Sequence, residues 1–197
     1  MINILSKKRF LVIEAILEKK SFTQYGLKKE LKLGMSIIND SVNFLLEKEF
    51  IRKEPKKYVL SDAKGLLELI GFFRQMDKAI VFEAKTSLGK KELMKRISQE
   101  TVFCLETALE RYSNYYESGR VCAYASKKGI SSLKAMFFAP GNETELLIFE
   151  EKPALSKNEI VSSGSAKYTS KARTIIDLFC DNKGPLAEKI KGKEGGK

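Results

Sequence analysis

Side chains able to do chemistry are few in this chain and badly spaced for catalysis. Its 197 residues include no histidine, which removes imidazole as general base, as triad partner and as metal ligand. The three cysteines, Cys104, Cys122 and Cys180, lie far apart with no CxxC pair. That pattern predicts buried, reduced thiols rather than a disulfide framework or a metal centre. Gly164-Ser165 followed by Asp177-Leu178 approaches the turn-plus-carboxylate arrangement of a nucleotidyltransferase. Such a site needs two carboxylates one residue apart to hold its metals, and Ile175 stands where the first would be. Glu150 and Glu151 are adjacent, so on a strand they point to opposite faces and make a poor acid–base couple. Neither a phosphate-cradling GxxxxGKS/T nor a GxGxxG occurs. The expectation is a protein without catalytic residues, bound metal or cofactor: not an enzyme.

Basic side chains point elsewhere. Lys and Arg number 36 against 25 Asp and Glu, a formal charge of +11, which favours a polyanionic partner. Residues 1–75 hold 15 basic and 9 acidic side chains, and residues 76–197 hold 21 and 16, so the charge is no isolated tail. Apolar residues make up 43 %, enough for a core, and no apolar run approaches the ~18–20 residues of a membrane span. The opening MINILSKKRF lacks the long apolar segment of a secretory leader. A cytoplasmic location without membrane contact is expected.

The elements that must carry these charges can be read along the chain. Phe10, Leu11, Ile13, Ile16 and Leu17 give residues 7–19 helical spacing. Thr23 is placed to cap a second helix with Tyr25, Leu27 and Leu31, ending near Leu33-Gly34. A third, from Met35 to Glu49, repeats Ile38, Val42, Leu45 and Leu46 on one face. Residues 51–61 then read as two short strands about Pro55. Three helices and a hairpin in this order resemble a winged helix-turn-helix over residues 6–62, with Leu27, Leu31, Leu33, Ile38, Leu45 and Ile51 in the core positions. The resemblance implies a third helix in the DNA major groove. Ser36, Ile37, Asn39, Asp40 and Asn43 fall on its outward side. Asn is suited to an adenine edge, Ser to a base or phosphate, and Ile to a thymine methyl. Asp40 could accept from cytosine or pair with Lys28 of the second helix. Arg52, Lys53, Lys56 and Lys57 sit on the hairpin, where phosphate or a minor groove is the natural partner. The alternative is a winged helix that docks a protein without specific DNA binding, because its third helix carries Asp40 and no cation before Lys48.

Residues 63–78, with Leu66, Leu67, Leu69, Ile70, Phe72 and Phe73, read as a connecting helix apolar around most of its girth, one that could also serve a homodimer. Residues 79–190 alternate strand and helix signals and predict an α+β domain, and residues 191–197 a disordered tail. Strands are expected at 79–84, 120–125, 133–138 and 145–149. Helices are expected at 87–97, at 101–116, from Thr169 through Phe179, and at 185–190. The overall class is therefore α+β: an N-terminal winged helix followed by a mixed domain.

Two stretches of that domain carry a further resemblance. Cys104-Leu105-Glu106-Thr107-Ala108-Leu109 leading to Tyr112, and Ser170-Lys171-Ala172-Arg173-Thr174-Ile175-Ile176-Asp177-Leu178, look like recurring segments of AbiEi-type antitoxins. The resemblance implies a transcriptional repressor that binds its own promoter, with a C-terminal domain that restrains a nucleotidyltransferase-type toxin. Arg111, Lys171 and Arg173 are secondary candidates for holding double-stranded DNA or an acidic partner, and Tyr112, Tyr115 and Tyr116 for stacking on bases. Against that, Arg173 and Asp177 stand at i, i+4, the spacing of an intrahelical ion pair.

Overall fold

The computed structural model describes residues 3–113, 116–136, 138–151 and 155–191, and the chain divides into two compact units, Met1–Arg74 and Gln75–Lys197. Its class is α+β.

The first unit begins with α1 (Lys7–Lys19), β1 (Ser21–Phe22) and α2 (Gln24–Leu31). It continues with α3 (Met35–Glu47), β2 (Ile51–Glu54), β3 (Lys57–Leu60) and α4 (Ala63–Phe73). Thr23 caps α2 by accepting from the Gly26 amide at 2.9 Å, and Asp62 caps α4 by accepting from Gly65 at 2.8 Å. Each cap satisfies an amide that the helix itself leaves without a partner. The three strands form an antiparallel sheet in the order β1-β3-β2. Phe22 lies opposite Tyr58 with stacked rings 5.6 Å apart, so the two-residue β1 is held by an aromatic pair as well as by the ladder. Phe10, Ile13 and Ile16 of α1 are buried, as are Leu27, Ile38, Val42, Leu45, Ile51, Leu66 and Ile70 of the elements that follow. Leu31 and Leu33 are only half-buried. The helix expected over 63–78 stops at Phe73 and belongs to the first unit.

The second unit opens with a 3-10 turn at Asp77–Ala79, then β4 (Ile80–Thr86), α5 (Lys90–Ile97), β5 (Thr101–Phe103) and α6 (Leu105–Tyr112). Next come β6 (Arg120–Ala125), α7 (Lys127–Ala135), β7 (Thr144–Glu150), β8 (Ile160–Ser163) and β9 (Ala166–Thr169), closed by α8 (Lys171–Cys180) and α9 (Gly184–Lys191). The sheet order is β4-β7-β6-β5-β9-β8, with β6–β7 and β5–β9 parallel and the other pairs antiparallel. On one face, Leu93 and Ile97 of α5 and Leu133 of α7 pack with Phe103, Val121, Ala123, Leu146 and Ile148. Cys122 and Tyr124, which alternate with those β6 residues, are buried as well, so β6 is covered on both faces.

Two expectations are corrected here, and one hairpin was not expected. Residues 101–116 are not one helix: Thr101–Phe103 form β5, paired with Ala123–Ala125, and α6 starts only at Leu105. The strand expected over 133–138 does not form: Leu133–Ala135 are the last turn of α7, which Ser126 caps through the Gly129 amide, and Met136 leaves the helix; Phe137 lies outside the described residues. The β8–β9 hairpin gave no expected strand. It turns at Gly164, whose φ of 59° is costly for any residue with a Cβ. Of the expected tail, residues 192–197 also lie outside the described residues, while Lys191 ends α9.

Candidate nucleic-acid interface

α3 turns Ile38, Ser41, Val42 and Leu45 into the core. That orientation leaves Ser36 and Asn43 exposed and Ile37, Asn39 and Asp40 half-buried on the outer side. The Ser41 hydroxyl donates back to the Ile37 carbonyl at 2.7 Å, a bond that removes a buried polar group from the ledger of unmet donors. Asp40 does not meet Lys28. Its carboxylate pairs with Arg9 of α1 at 3.5 Å, a half-exposed contact that gives the helix an anchor but little energy.

All four expected cations of the β2–β3 hairpin are exposed, and Glu54 divides them. Its carboxylate takes Arg52 at 3.3 Å and Lys57 at 3.5 Å. Lys53 and Lys56 form no ion pair among the described residues. Three further cations lie exposed on and just after α2, likewise without an ion pair among the described residues: Lys28, expected only as a partner for Asp40, and Lys29 and Lys32, for which no role was expected. The legible signal was their run, KKELK, beside a helix expected only to brace the next. Tyr25 stands on the same helix, 69 % exposed.

The secondary candidates in the second unit fare differently. Arg173 is fully buried, so it cannot face a polyanion. Its guanidinium bonds Asp177 at 2.9 Å and Glu159 at 2.6 Å, and it lies 5.3 Å from the centre of the Tyr124 ring. Burial opposes its charge, yet Asp177, Tyr124 and Glu159 outweigh that and push its pKa well above the usual value. Asp177 is committed to this pair, so it is not available to hold a metal. No group of three His, Cys, Asp or Glu side chains suited to a metal ion occurs among the described residues. Arg111 is exposed, with its guanidinium 5.2 Å from the Tyr168 ring centre, and Lys171 is half-buried. Tyr112 is half-buried and donates to the Thr169 carbonyl at 2.7 Å, which spends its hydroxyl inside the fold. Tyr115 lies outside the described residues, and Tyr116 is half-buried.

A second charged cluster joins residues far apart in sequence. Lys183, in the link from α8 to α9, donates to Glu106 of α6 at 2.7 Å and also to Asp181. The Cys122 thiol donates to the other Glu106 oxygen at 3.4 Å. Burial works to raise Glu106, but the Lys183 contact wins and holds its carboxyl below the usual value. Asp181, touching the same ammonium, is nevertheless raised, because for it burial dominates. Burial pushes the Cys122 thiol well up and Glu106 adds to the effect. A thiol so placed stays protonated and is a weak nucleophile.

Among the described residues, no helix is long and apolar enough to cross a membrane. Neither a protein-family model nor a curated protein sequence matches this chain.

Proposed function

We propose that the first unit is a winged helix that binds double-stranded DNA, and that the chain is a transcriptional regulator acting as an antitoxin-like autorepressor. One observation carries the reading: α3 is followed directly by an exposed basic hairpin, in a sheet whose order β1-β3-β2 returns that hairpin to the N-terminal helices. An α-helix fits the major groove, and a basic hairpin beside it meets the backbone or the minor groove. Ser36, Asn39 and Asn43 are the base-reading positions, with Ile37 available to a thymine methyl. Lys53, Lys56, Arg52 and Lys57 are phosphate contacts, joined by Lys28, Lys29 and Lys32 from α2. The toxin-restraining role of the second unit rests on the AbiEi-type resemblance of its α6 and α8 segments.

A titration of labelled DNA from upstream of the chain's own gene, against scrambled DNA at two salt concentrations, tests this. Own-site preference is expected. The double substitution Lys56→Glu, Lys57→Glu should weaken binding to both DNAs and reduce the salt slope by about 2, since each phosphate contact contributes about 0.9. Asn39→Ala should instead alter preference at one base position, worth about 1–3 kcal/mol. A salt slope unchanged by the lysine reversal would remove the hairpin from the interface.

One observation favours a second reading, a protein-docking winged helix. The outer face of α3 carries no cation: its charged side chains are Asp40, which Arg9 already engages, and the exposed Glu47. Absence of DNA binding at low salt, together with a stoichiometric protein partner, would select it.

A further inference from the structure

The second unit carries a charged face of its own. Helices α5 and α7 lie on the same side of its sheet, because Leu93 and Ile97 of one and Leu133 of the other enter a single buried cluster. They also meet through the segments at their ends. A Cβ on Gly129, in the first turn of α7, would stand 2.7 Å from the Glu100 carbonyl just past α5. Arg96 of α5 holds its guanidinium 5.5 Å from the ring centre of Phe138, beyond the end of α7. With the apolar residues turned inward, the helical period turns Lys91 and Lys95 of α5, and Lys127, Lys128 and Lys134 of α7, outward. All of these lysines are exposed, and Glu92 is the single acidic residue of the two helices. None of them forms an ion pair among the described residues.

Elsewhere in this unit cations are spent internally: Lys183 on Glu106, Arg173 on Glu159 and Asp177, Arg120 on Glu145, Lys90 on Glu110. The α5–α7 lysines instead repel one another. Lys127 and Lys128 also sit at the positive end of a helix whose first turn has no carboxylate. Folding gains nothing from such an arrangement, whereas a polyanion is held by it. We propose that the α5–α7 face binds the phosphate backbone of duplex DNA without reading its sequence. Composition separates this partner from others. Protein interfaces are depleted in lysine and centre on aromatic or apolar anchors, and single strands are held on exposed rings. The large exposed apolar side chains among the described residues are Tyr25, Phe72 and Phe73, all of the first unit, so this face offers neither. The site rests on the second unit's own charges; naming DNA as its duplex rests on the reading of the first unit.

Titration of the full chain with a mixed-sequence DNA duplex of about 30 base pairs, between roughly 50 and 200 mM salt, decides it. Lys95→Gln with Lys128→Gln should weaken binding and lower the salt slope by about 1.8, at about 0.9 per phosphate contact. Lys85 and Lys167 are exposed, while their strand neighbours Ala84, Ala166 and Tyr168 pack against the core beneath α5 and α7. Lys85→Gln with Lys167→Gln therefore removes the same charge from the other face of the sheet and should leave the slope unchanged. Circular dichroism melts check that the variants remain folded, as exposed positions allow. The hairpin pair Lys56→Glu, Lys57→Glu, run alongside, reports on the first unit separately. A loss from that pair with none from Lys95 and Lys128 overturns the proposal and keeps the reading of the first unit; the converse result does the reverse. Equal losses from the two glutamine pairs overturn it as well, since net charge alone would then account for binding. Tighter binding of an RNA duplex of the same sequence overturns the choice of DNA, and tighter binding of a single strand the choice of a duplex.

Discussion

At the scale of single residues, the second unit is shaped by charges taken inside. A buried ion pair gains little over well-packed apolar groups, but losing one partner strands the other without water. Glu106 is nearly buried and depends on Lys183. Lys183→Met should therefore destabilise the second unit by about 2–4 kcal/mol at pH 7. The sign with pH follows from the pKa directions. In the wild type Glu106 is lowered by folding, so its contribution is present at neutral pH and fades as pH falls through its folded pKa in the acid range. In Lys183→Met the same carboxyl would be raised by burial, so the loss should be smaller at pH 4.5 than at pH 7.5. Urea titrations at the two pH values check this, and adding Glu106→Gln should restore part of the stability at pH 7.5. An equal loss at both values would mean that Lys183 acts through its packing alone. Spacing made the Arg173–Asp177 pair legible, since i, i+4 places two side chains on one helix face. Neither Glu159 as the second partner of that arginine nor the Glu106–Lys183 pair was legible. A hairpin and a whole sheet layer separate those residues in sequence, and only the completed fold brings them together.

At the scale of elements, the first unit announces itself more clearly than the second. Its helices are amphipathic and its breaks carry local signals: Thr23 and Asp62 as caps, Gly34 at the N-cap of α3, Pro55 in the hairpin turn. The second unit is built on a sheet whose middle strand β6 is covered on both faces, where a strand loses its alternation and resembles a short helical run. Thr101–Phe103 merge into the expected helix because three residues are too few to show a period of two before α6 begins at Leu105. The error at 133–138 ran the other way, because Met136 and Phe138 extended the apolar run beyond the last turn of α7. Local strain is also visible at this scale. α2 ends on Lys32, exposed and left-handed at φ 52°, a conformation that suits glycine and costs an L-residue about 1 kcal/mol or more. Lys32→Gly keeps the cap bond from its amide to Lys28. After the entropy glycine adds to the unfolded chain, the first unit should gain about 0.5 kcal/mol. A thermal melt of the variant against wild type reads this, and a lower midpoint would mean that the lysine side chain does more than the backbone geometry shows. Since Lys32 is also a proposed phosphate contact, the same variant should bind DNA more weakly while melting higher.

At the scale of the whole molecule, the division into units turns on one residue. Arg74 is buried with the first unit, its guanidinium 5.6 Å from the centre of the Phe10 ring. Met76 is buried with the second, where its amide donates to the Cys180 carbonyl and its sulfur accepts from the Tyr124 hydroxyl. Between them Gln75 is exposed. Each unit has its own buried core and carries about half of the net charge, so neither needs the other to cover apolar surface inside its own layers. Fragments 1–74 and 75–197 should then fold separately. The second should unfold in urea as cooperatively as it does within the full chain, because its sheet and both helical layers are internal to it. The first should be the less stable, since a short chain buries a smaller fraction of its surface. Loss of a cooperative transition in fragment 75–197 would show that its core is completed by residues before Gln75.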